Sequence, residues 1–267
     1  MSDPLRQQRL AALRDTIADI ERKPALAEAR MQVSAAETDD FPMPAGGLLQ
    51  EVFSDDHRQA SAALGFALAQ AKSLLSQQRL AVIYLQMSKD AQELGLPYGP
   101  GLVSFGFDPD ALVLVRTASM AELLWAAEEA LACRAVAAVV ADIGRPAKIL
   151  DFTASRRLSL RAASSGSSIF LLRYGLEREA SAAQLRWRLM AQRSGRKRFD
   201  HLAPGPLRWQ AQLEKGVLRK QQTEWLLGWT HDGLATITAA PHPNAQRSPA
   251  FPRPYPAELA HGLSQTA

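Results

Sequence analysis

Residues 48–75, LLQEVFSDDHRQASAALGFALAQAKSLL, contain the pattern that indicates the fold of this chain. The short apolar run at residues 48–53 is typical of a strand, and the Ala- and Leu-rich stretch at residues 59–75 is typical of a buried helix. A polar turn with two aspartates joins them. A strand followed by a short loop and a helix is the repeating unit of α/β domains, so we expect an α/β fold.

The alternation of strands and helices continues toward the C-terminus. A Gly- and Pro-rich stretch at residues 97–101 predicts a loop. Apolar runs predict further strands, and an amphipathic stretch predicts a helix; the strands are at residues 80–85, 112–115, 136–142 and 168–172, and the helix is at residues 120–133. Because these strands are almost continuously apolar, we expect a mostly parallel sheet with helices on both faces.

After residue 174 the pattern changes to alternation. Apolar residues occupy every second position at residues 184–189 and 207–213, and a less regular run follows at residues 225–229. This spacing predicts antiparallel strands with one buried face, added to the edge of the sheet. The tryptophans in and near these runs are predicted to belong to the sheet core and not to stack on bases: Trp187, Trp209, Trp225 and Trp229.

The two ends of the chain differ in composition from the α/β region. Residues 4–30 predict an exposed helix with one narrow apolar stripe, and residues 31–47 predict a linker. That stripe consists of Leu10, Leu13, Ile17 and Ile20. The Pro-rich residues 241–267 predict a disordered tail. We therefore predict four segments, which are residues 1–43, 44–175, 176–240 and 241–267.

The composition excludes several classes of protein. The 267 residues include one cysteine, Cys133, so no disulfide can form within the chain. The charged N-terminus has no apolar core of a signal peptide, and no apolar run is long enough to span a membrane, so a soluble, cytoplasmic protein is expected. The five histidines are scattered, and no HxxxH or CxxC spacing occurs, so no metal site is expected.

The loop after the first predicted strand is the position at which an α/β domain would carry a phosphate-binding loop. The pattern GxxxxGK[ST] lets backbone and lysine surround the phosphates. In residues 54–61, SDDHRQAS, serine and glutamine replace the two glycines, alanine replaces the lysine, and only the last position matches. These positions are Ser54, Gln59, Ala60 and Ser61. Asp55 and Asp56 would also add negative charge beside a polyphosphate. We predict that the chain binds no nucleotide.

Three segments carry a resemblance to a known family: LLQEVFSDDHRQASAALGFALA, VRTASMAELLWAAEEAL and LDFTASRRLSLRAASSG. They resemble the ImuA family, the RecA/SulA-like inducible mutagenesis proteins of bacterial translesion synthesis, over residues 44–230. The resemblance implies a RecA-like core. It matches the RecA catalytic glutamate with residues 86–88, which hold no acid. It matches the Mg²⁺-associated aspartate with Asp142, which we interpret as an acid at the end of a strand, because a magnesium-associated acid has no role without bound phosphates. A non-catalytic protein without a cofactor is therefore expected.

The resemblance also implies partners. It implies an adaptor or activator that works with an inactive Y-family-like polymerase (ImuB), an error-prone C-family polymerase and RecA. The apolar stripe Leu10, Leu13, Ile17 and Ile20 is the candidate surface for a RecA-like neighbour or the polymerase-like partner. Single-stranded DNA is a further candidate partner, with phosphate contacts from Arg156, Arg157, Arg161, Arg196, Lys197 and Arg198.

An alternative is a cell-division inhibitor of the SulA type. Such a protein would share a degenerate RecA-like core and bind the tubulin-like division protein. The basic region at residues 176–232 and the Pro-rich tail favour the mutagenesis interpretation.

Overall fold

Nine strands form one sheet in the computed structural model, which describes residues 41, 43–145, 148–195, 203–216, 222–230 and 233–237. The strands of these residues are β1 (Leu49–Ser54), β2 (Ala81–Met87), β3 (Leu112–Thr117), β4 (Val136–Ile143), β5 (Ser168–Tyr174), β6 (Leu185–Gln192), β7 (Arg208–Lys215), β8 (Glu224–Thr230) and β9 (Gly233–Thr236). Their α-helices are α1 (Ala60–Ser73), α2 (Ser88–Leu94), α3 (Gly99–Ser104), α4 (Met120–Ala132) and α5 (Phe152–Ser165).

The sheet is mixed, and its strand order is β3-β2-β4-β5-β1-β6-β7-β8-β9. Neighbours from β3 to β6 are parallel, and neighbours from β6 to β9 are antiparallel. The expected α/β sheet with a C-terminal antiparallel extension is confirmed. The expected antiparallel pairing of β6 is confirmed for its neighbour β7, but β6 pairs with its other neighbour, β1, in parallel. Residues 175–184 carry the chain back to the amino edge of the sheet before β6 begins, which the alternating pattern cannot reveal.

Helices cover both faces of the parallel strands. On one face Phe66 of α1 shares a hydrophobic core with Val52 of β1 and Phe170 of β5. On the other face Leu123 of α4 and Leu158 of α5 share a core with the strands. Every residue of β4 and β5 is consequently buried, which explains why their sequences are continuous apolar runs with few polar positions.

Local capping sets where α4 and α5 begin and end. The Ser119 hydroxyl accepts from the backbone N–H of Glu122 at 3.2 Å, and the Asp151 carboxylate accepts from the N–H of Ala154 at 2.8 Å. These bonds satisfy backbone donors that the first turn of a helix leaves free. At the end of α5, Gly166 adopts a left-handed conformation with φ of 76°. The predicted helix at residues 120–133 is confirmed to within one residue.

The connection between β2 and β3 differs from the expected loop. Residues 97–101 were predicted to be irregular, but residues 99–104 form α3, with Pro100 in its first turn. Proline fits there because the first helical N–H groups need no partner within the helix. The helix α2 follows β2 directly and was not predicted.

An aromatic core fills the space between α1 and the C-terminal strands. The tryptophans Trp187, Trp209 and Trp225 are buried as predicted, and Trp229 is half-buried. Phe41 adds its ring to this core, with ring centroids 5.5 Å from Trp187 and 5.6 Å from Trp225. Phe41 is 4% exposed, so the predicted linker contributes a core residue before β1 begins.

Several predictions fall outside the described residues. These include the N-terminal helix with Leu10, Leu13, Ile17 and Ile20, the basic cluster Arg196, Lys197 and Arg198, and the tail at residues 241–267. The division into four segments stays a prediction. In the part of the chain that the structure describes, no helix is both long and apolar enough to cross a membrane.

Candidate functional site

The loop between β1 and α1 lies at the carboxyl edge of the sheet, where β1 is flanked by β5 and β6. In open α/β sheets ligands bind beyond the carboxyl ends of the strands, so this edge is the candidate site. Ser54 is the last residue of β1, Gln59 ends a 3₁₀ turn, and Ala60 and Ser61 are the first residues of α1. The structure thus brings the four positions of the degenerate pattern together at the predicted place.

The backbone of this loop is hydrogen-bonded to itself. The N–H of Arg58 donates to the Asp56 carboxylate at 2.9 Å, and the N–H of Gln59 donates to the Asp56 carbonyl at 2.9 Å. The N–H of Ala60 donates to the carbonyl of His57. A loop that cradles phosphate turns such N–H groups toward the ligand. Here three consecutive donors are satisfied by oxygens of the loop, which leaves them unavailable to an anion.

The sequence predicts that Asp55 would add an uncompensated negative charge beside a bound polyphosphate, but in the structure its carboxylate contacts two arginines. Its carboxylate accepts from Arg188 Nε at 3.0 Å and lies 3.5 Å from Arg178 Nη2. The hydrogen bond from Arg188 is the main reason that the pKa of Asp55 lies below its usual value. The negative charge of Asp55 is therefore compensated, and its role is to join the loop to β6 and to the segment after β5.

The residues that replace the two glycines of the phosphate-binding pattern also hold the loop in place. Gln59 Oε1 accepts from the N–H of Ala191 in β6 at 2.9 Å. Ser54 Oγ donates to the Asp56 carbonyl at 3.0 Å, and the Ser54 carbonyl accepts from the N–H of Gly175 at 2.9 Å. Both substitutions thus introduce side chains that bond to neighbouring backbone, so that the loop has a fixed path without a ligand.

Asp142 lies on β4 and is held by two tyrosines. It accepts from Tyr84 at 2.7 Å and from Tyr174 at 2.9 Å, and Gln86 Nε2 lies 3.3 Å from the same carboxylate. Burial raises the pKa of Asp142, while the tyrosine hydrogen bonds oppose that change. Burial and the nearby carboxylate raise the pKa of both tyrosines. The imidazole of His57 lies on the Tyr174 ring, with centroids 4.7 Å apart.

A second acid near Asp142 was missed by the sequence analysis. Residues 86–88 contain no acid, but Asp90 follows in the first turn of α2 and is 2% exposed. Its carboxylate packs against the backbone of Gly144, where an added Cβ would lie 2.7 Å from Asp90 Cγ. The signal that could have found it is an acid in the first helical turn after a buried strand.

The polar side chains around Asp90 are incompletely paired. Asp90 Oδ2, Gln86 Oε1 and Thr117 Oγ1 are buried and have no hydrogen-bond partner in the structure. Among the described residues, no group of three or more His, Cys, Asp or Glu side chains has a geometry suited to a metal ion. The carboxyl edge thus holds a buried polar cluster, with Asp142 hydrogen-bonded at its centre.

The sequence analysis also missed a buried ionic cluster, which lies on the face of β1 opposite to the face that packs against α1. Glu51 is fully buried, and its carboxylate accepts from Arg186 Nε at 2.8 Å and Ser181 Oγ at 2.7 Å. Arg173 Nη1 lies 3.4 Å from the other oxygen of Glu51. Next to it the guanidinium of Arg178 stacks over the Phe53 ring at 4.0 Å. These contacts join β1, β5 and β6 beneath the loop.

No family model matches the chain. Two curated relatives do match, each called Protein ImuA and from the strains NA1000 / CB15N and ATCC 19089 / CIP 103742 / CB 15 of Caulobacter vibrioides. Each is 35% identical over 128 residues, which cover 44% of this chain and 50% of the relative. These matches support membership in the ImuA family. The chain spans about half the length of the curated relatives it matches.

The candidate DNA-binding arginines are only partly described. Arg156, Arg157 and Arg161 lie on α5 and are exposed, and Arg157 pairs with Glu128 of α4. They belong to a regular helix that packs on the sheet, and the structure does not bring them to the carboxyl-edge loop. Their contact with DNA stays a prediction.

Proposed function

We propose that this chain is a RecA-like, non-catalytic adaptor or activator in damage-induced, error-prone translesion DNA synthesis. The ImuA relatives support a role in the mutagenesis system. The parallel strands with β1 between β5 and β6, and the loop at their carboxyl edge, support a RecA-like core. A cytoplasmic location follows from a role at the replicating chromosome.

The observation that supports a non-catalytic role is the closed path of the loop between β1 and α1. To bind a polyphosphate, the loop would have to release the N–H groups of Arg58 and Gln59 and the ion pair between Asp55 and Arg188. Each such bond contributes about 1 kcal/mol. Since Ala60 stands in place of the lysine, no positive charge at that position would offset the loss.

The partners that we propose are the polymerase-like protein ImuB, an error-prone C-family polymerase and RecA. An adaptor needs surfaces that bind its partners without catalysing a reaction. A RecA-like core can supply such surfaces without hydrolysing ATP. Single-stranded DNA is a further proposed partner of the exposed arginines on α5, since guanidinium groups bind phosphates and release counterions.

The test is a titration of the full chain against a fluorescent ATP analogue and, in parallel, against purified ImuB. RecA serves as the positive control for nucleotide. We expect saturable ImuB binding that does not change with ATP, and no nucleotide signal at millimolar concentration. A matched variant, Asp55→Asn with Gln59→Gly, is expected to loosen the loop without creating an ATP site.

Two results would contradict the proposal. Stoichiometric ATP binding by the wild-type chain would mean that the loop opens and that catalysis has to be reconsidered. Binding to the tubulin-like division protein, with no binding to ImuB, would favour the division-inhibitor alternative.

A further inference from the structure

No element among the residues that the structure describes covers the large apolar side chains on the outer surface of α4 and α5. Trp125 of α4 is 65% exposed and Leu160 of α5 is 53% exposed. Exposed tryptophan and leucine side chains framed by charges are typical of protein interaction sites. The two helices are adjacent, since they share one hydrophobic core and the Arg157 guanidinium pairs with Glu128 across them.

The charges on the two helices are of opposite sign. On α4, Glu122, Trp125 and Glu129 follow a spacing of three and four residues and form one exposed stripe. On α5, Arg156 and Arg161 lie on either side of Leu160, about 140° apart around the helix, and form a second, broader exposed stripe; α5 itself contains no acidic residue. In the part of the chain that the structure describes, Glu129, Arg156 and Arg161 have no ion-pair partner.

We propose that this surface binds a second copy of the chain, with α4 of each copy lying over α5 of the other. An isologous dimer requires a surface that complements itself under a two-fold rotation. Adjacent acidic and basic stripes, each with an apolar centre, meet that requirement. A two-fold axis along the seam between the helices turns the acidic stripe of one copy onto the basic stripe of its partner.

The positions of these side chains along the axes of α4 and α5 fit this arrangement. The helices α4 and α5 run in the same direction, because each returns antiparallel to parallel strands. The pair between Glu128 and Arg157 therefore fixes their relative level. Glu129 comes level with the turn between Arg156 and Arg161, and Trp125 lies about one turn nearer the helix starts. Rotation then brings Glu129 of one copy between two arginines of the other, and Trp125 near Arg156, where a cation–π contact can form.

The inference does not depend on the proposed function, and it can be tested by charge exchange. One variant is Arg156→Glu with Arg161→Glu, and the other is Glu129→Arg; Glu122 is left unchanged because its carboxylate also accepts from the N–H of Ala118. Sedimentation equilibrium of the full chain measures association, and circular dichroism verifies that each variant is folded. The wild type is expected to dimerise reversibly, and each variant alone is expected to dimerise at least about 30-fold more weakly.

Mixing the two variants is the decisive measurement. In the mixed dimer both crossed contacts join acid to arginine, so equimolar mixing is expected to restore association to the wild-type range. A wild-type chain that stays monomeric at about 100 µM would overturn the proposal, because an interface with paired charges and buried tryptophans is expected to bind more tightly than that concentration. Variants that dimerise like the wild type, or a mixture that stays monomeric, would overturn it as well.

Discussion

Neutralising Glu51, the single charged residue of β1, should destabilise the folded chain strongly. The change Glu51→Gln keeps the shape of the side chain and removes its charge. Arg186 and Arg173, with side chains 12% and 6% exposed, then lose their shared carboxylate. Breaking a buried ion pair from one side costs about 3–5 kcal/mol, because a buried charge is left uncompensated.

The structure places the expected loss at the lower end of that range. Arg173 keeps its contact with Glu179 at 2.6 Å, and Arg186 keeps the Glu179 carbonyl and the Ser181 hydroxyl. We therefore expect a loss of about 3 kcal/mol in the free energy of unfolding. The matched control is Glu179→Gln, whose carboxylate is 40% exposed, and it should cost less than about 1 kcal/mol.

The assay is urea denaturation of the full chain, followed by the fluorescence of the buried tryptophans. Circular dichroism reports whether both variants retain the wild-type secondary structure. Equal losses for the two variants, or a loss below about 1 kcal/mol for Glu51→Gln, would refute the reasoning, because the cluster would then behave like a solvated surface pair.

Three further predictions concern the core, the carboxyl edge and acid stability. Phe41→Ala should lower the free energy of unfolding by about 3–5 kcal/mol in urea denaturation, whereas Phe152→Ala at a half-exposed position should cost less than about 1 kcal/mol; similar losses would contradict a core role for Phe41. Gly144→Ala should cost about 1–3 kcal/mol through contact with Asp90, and Asp90→Ala should relieve it in the double variant; additive losses would argue against that contact. The pKa of Asp55 is lowered in the folded chain, so its stabilisation is present above the unfolded pKa of about 4 and is lost as the pH falls through the folded pKa. The difference in melting temperature between wild type and Asp55→Asn should therefore shrink in acid, and a constant difference from pH 7 to pH 3 would disprove this linkage.

The candidate site could be predicted only in part. The degenerate pattern at residues 54–61 was readable because it depends on residue types at fixed spacing after a strand. What replaces the phosphate contacts was not readable, since Arg188 and Ala191 lie more than a hundred residues away from the loop. Asp90 was missed for a related reason, because its burial depends on the backbone of Gly144.

The sequence by itself determined the α/β class, the strands β1 to β8 and the buried tryptophans, because apolar periodicity follows directly from which faces of an element are covered. It also determined that the phosphate-binding residues are missing. Only the tertiary structure decided that β6 is parallel to β1, that Glu51 has buried arginine partners and that α4 and α5 expose stripes of opposite charge. Pairing direction and ion-pair partners depend on contacts between distant residues, and local patterns carry no record of such contacts.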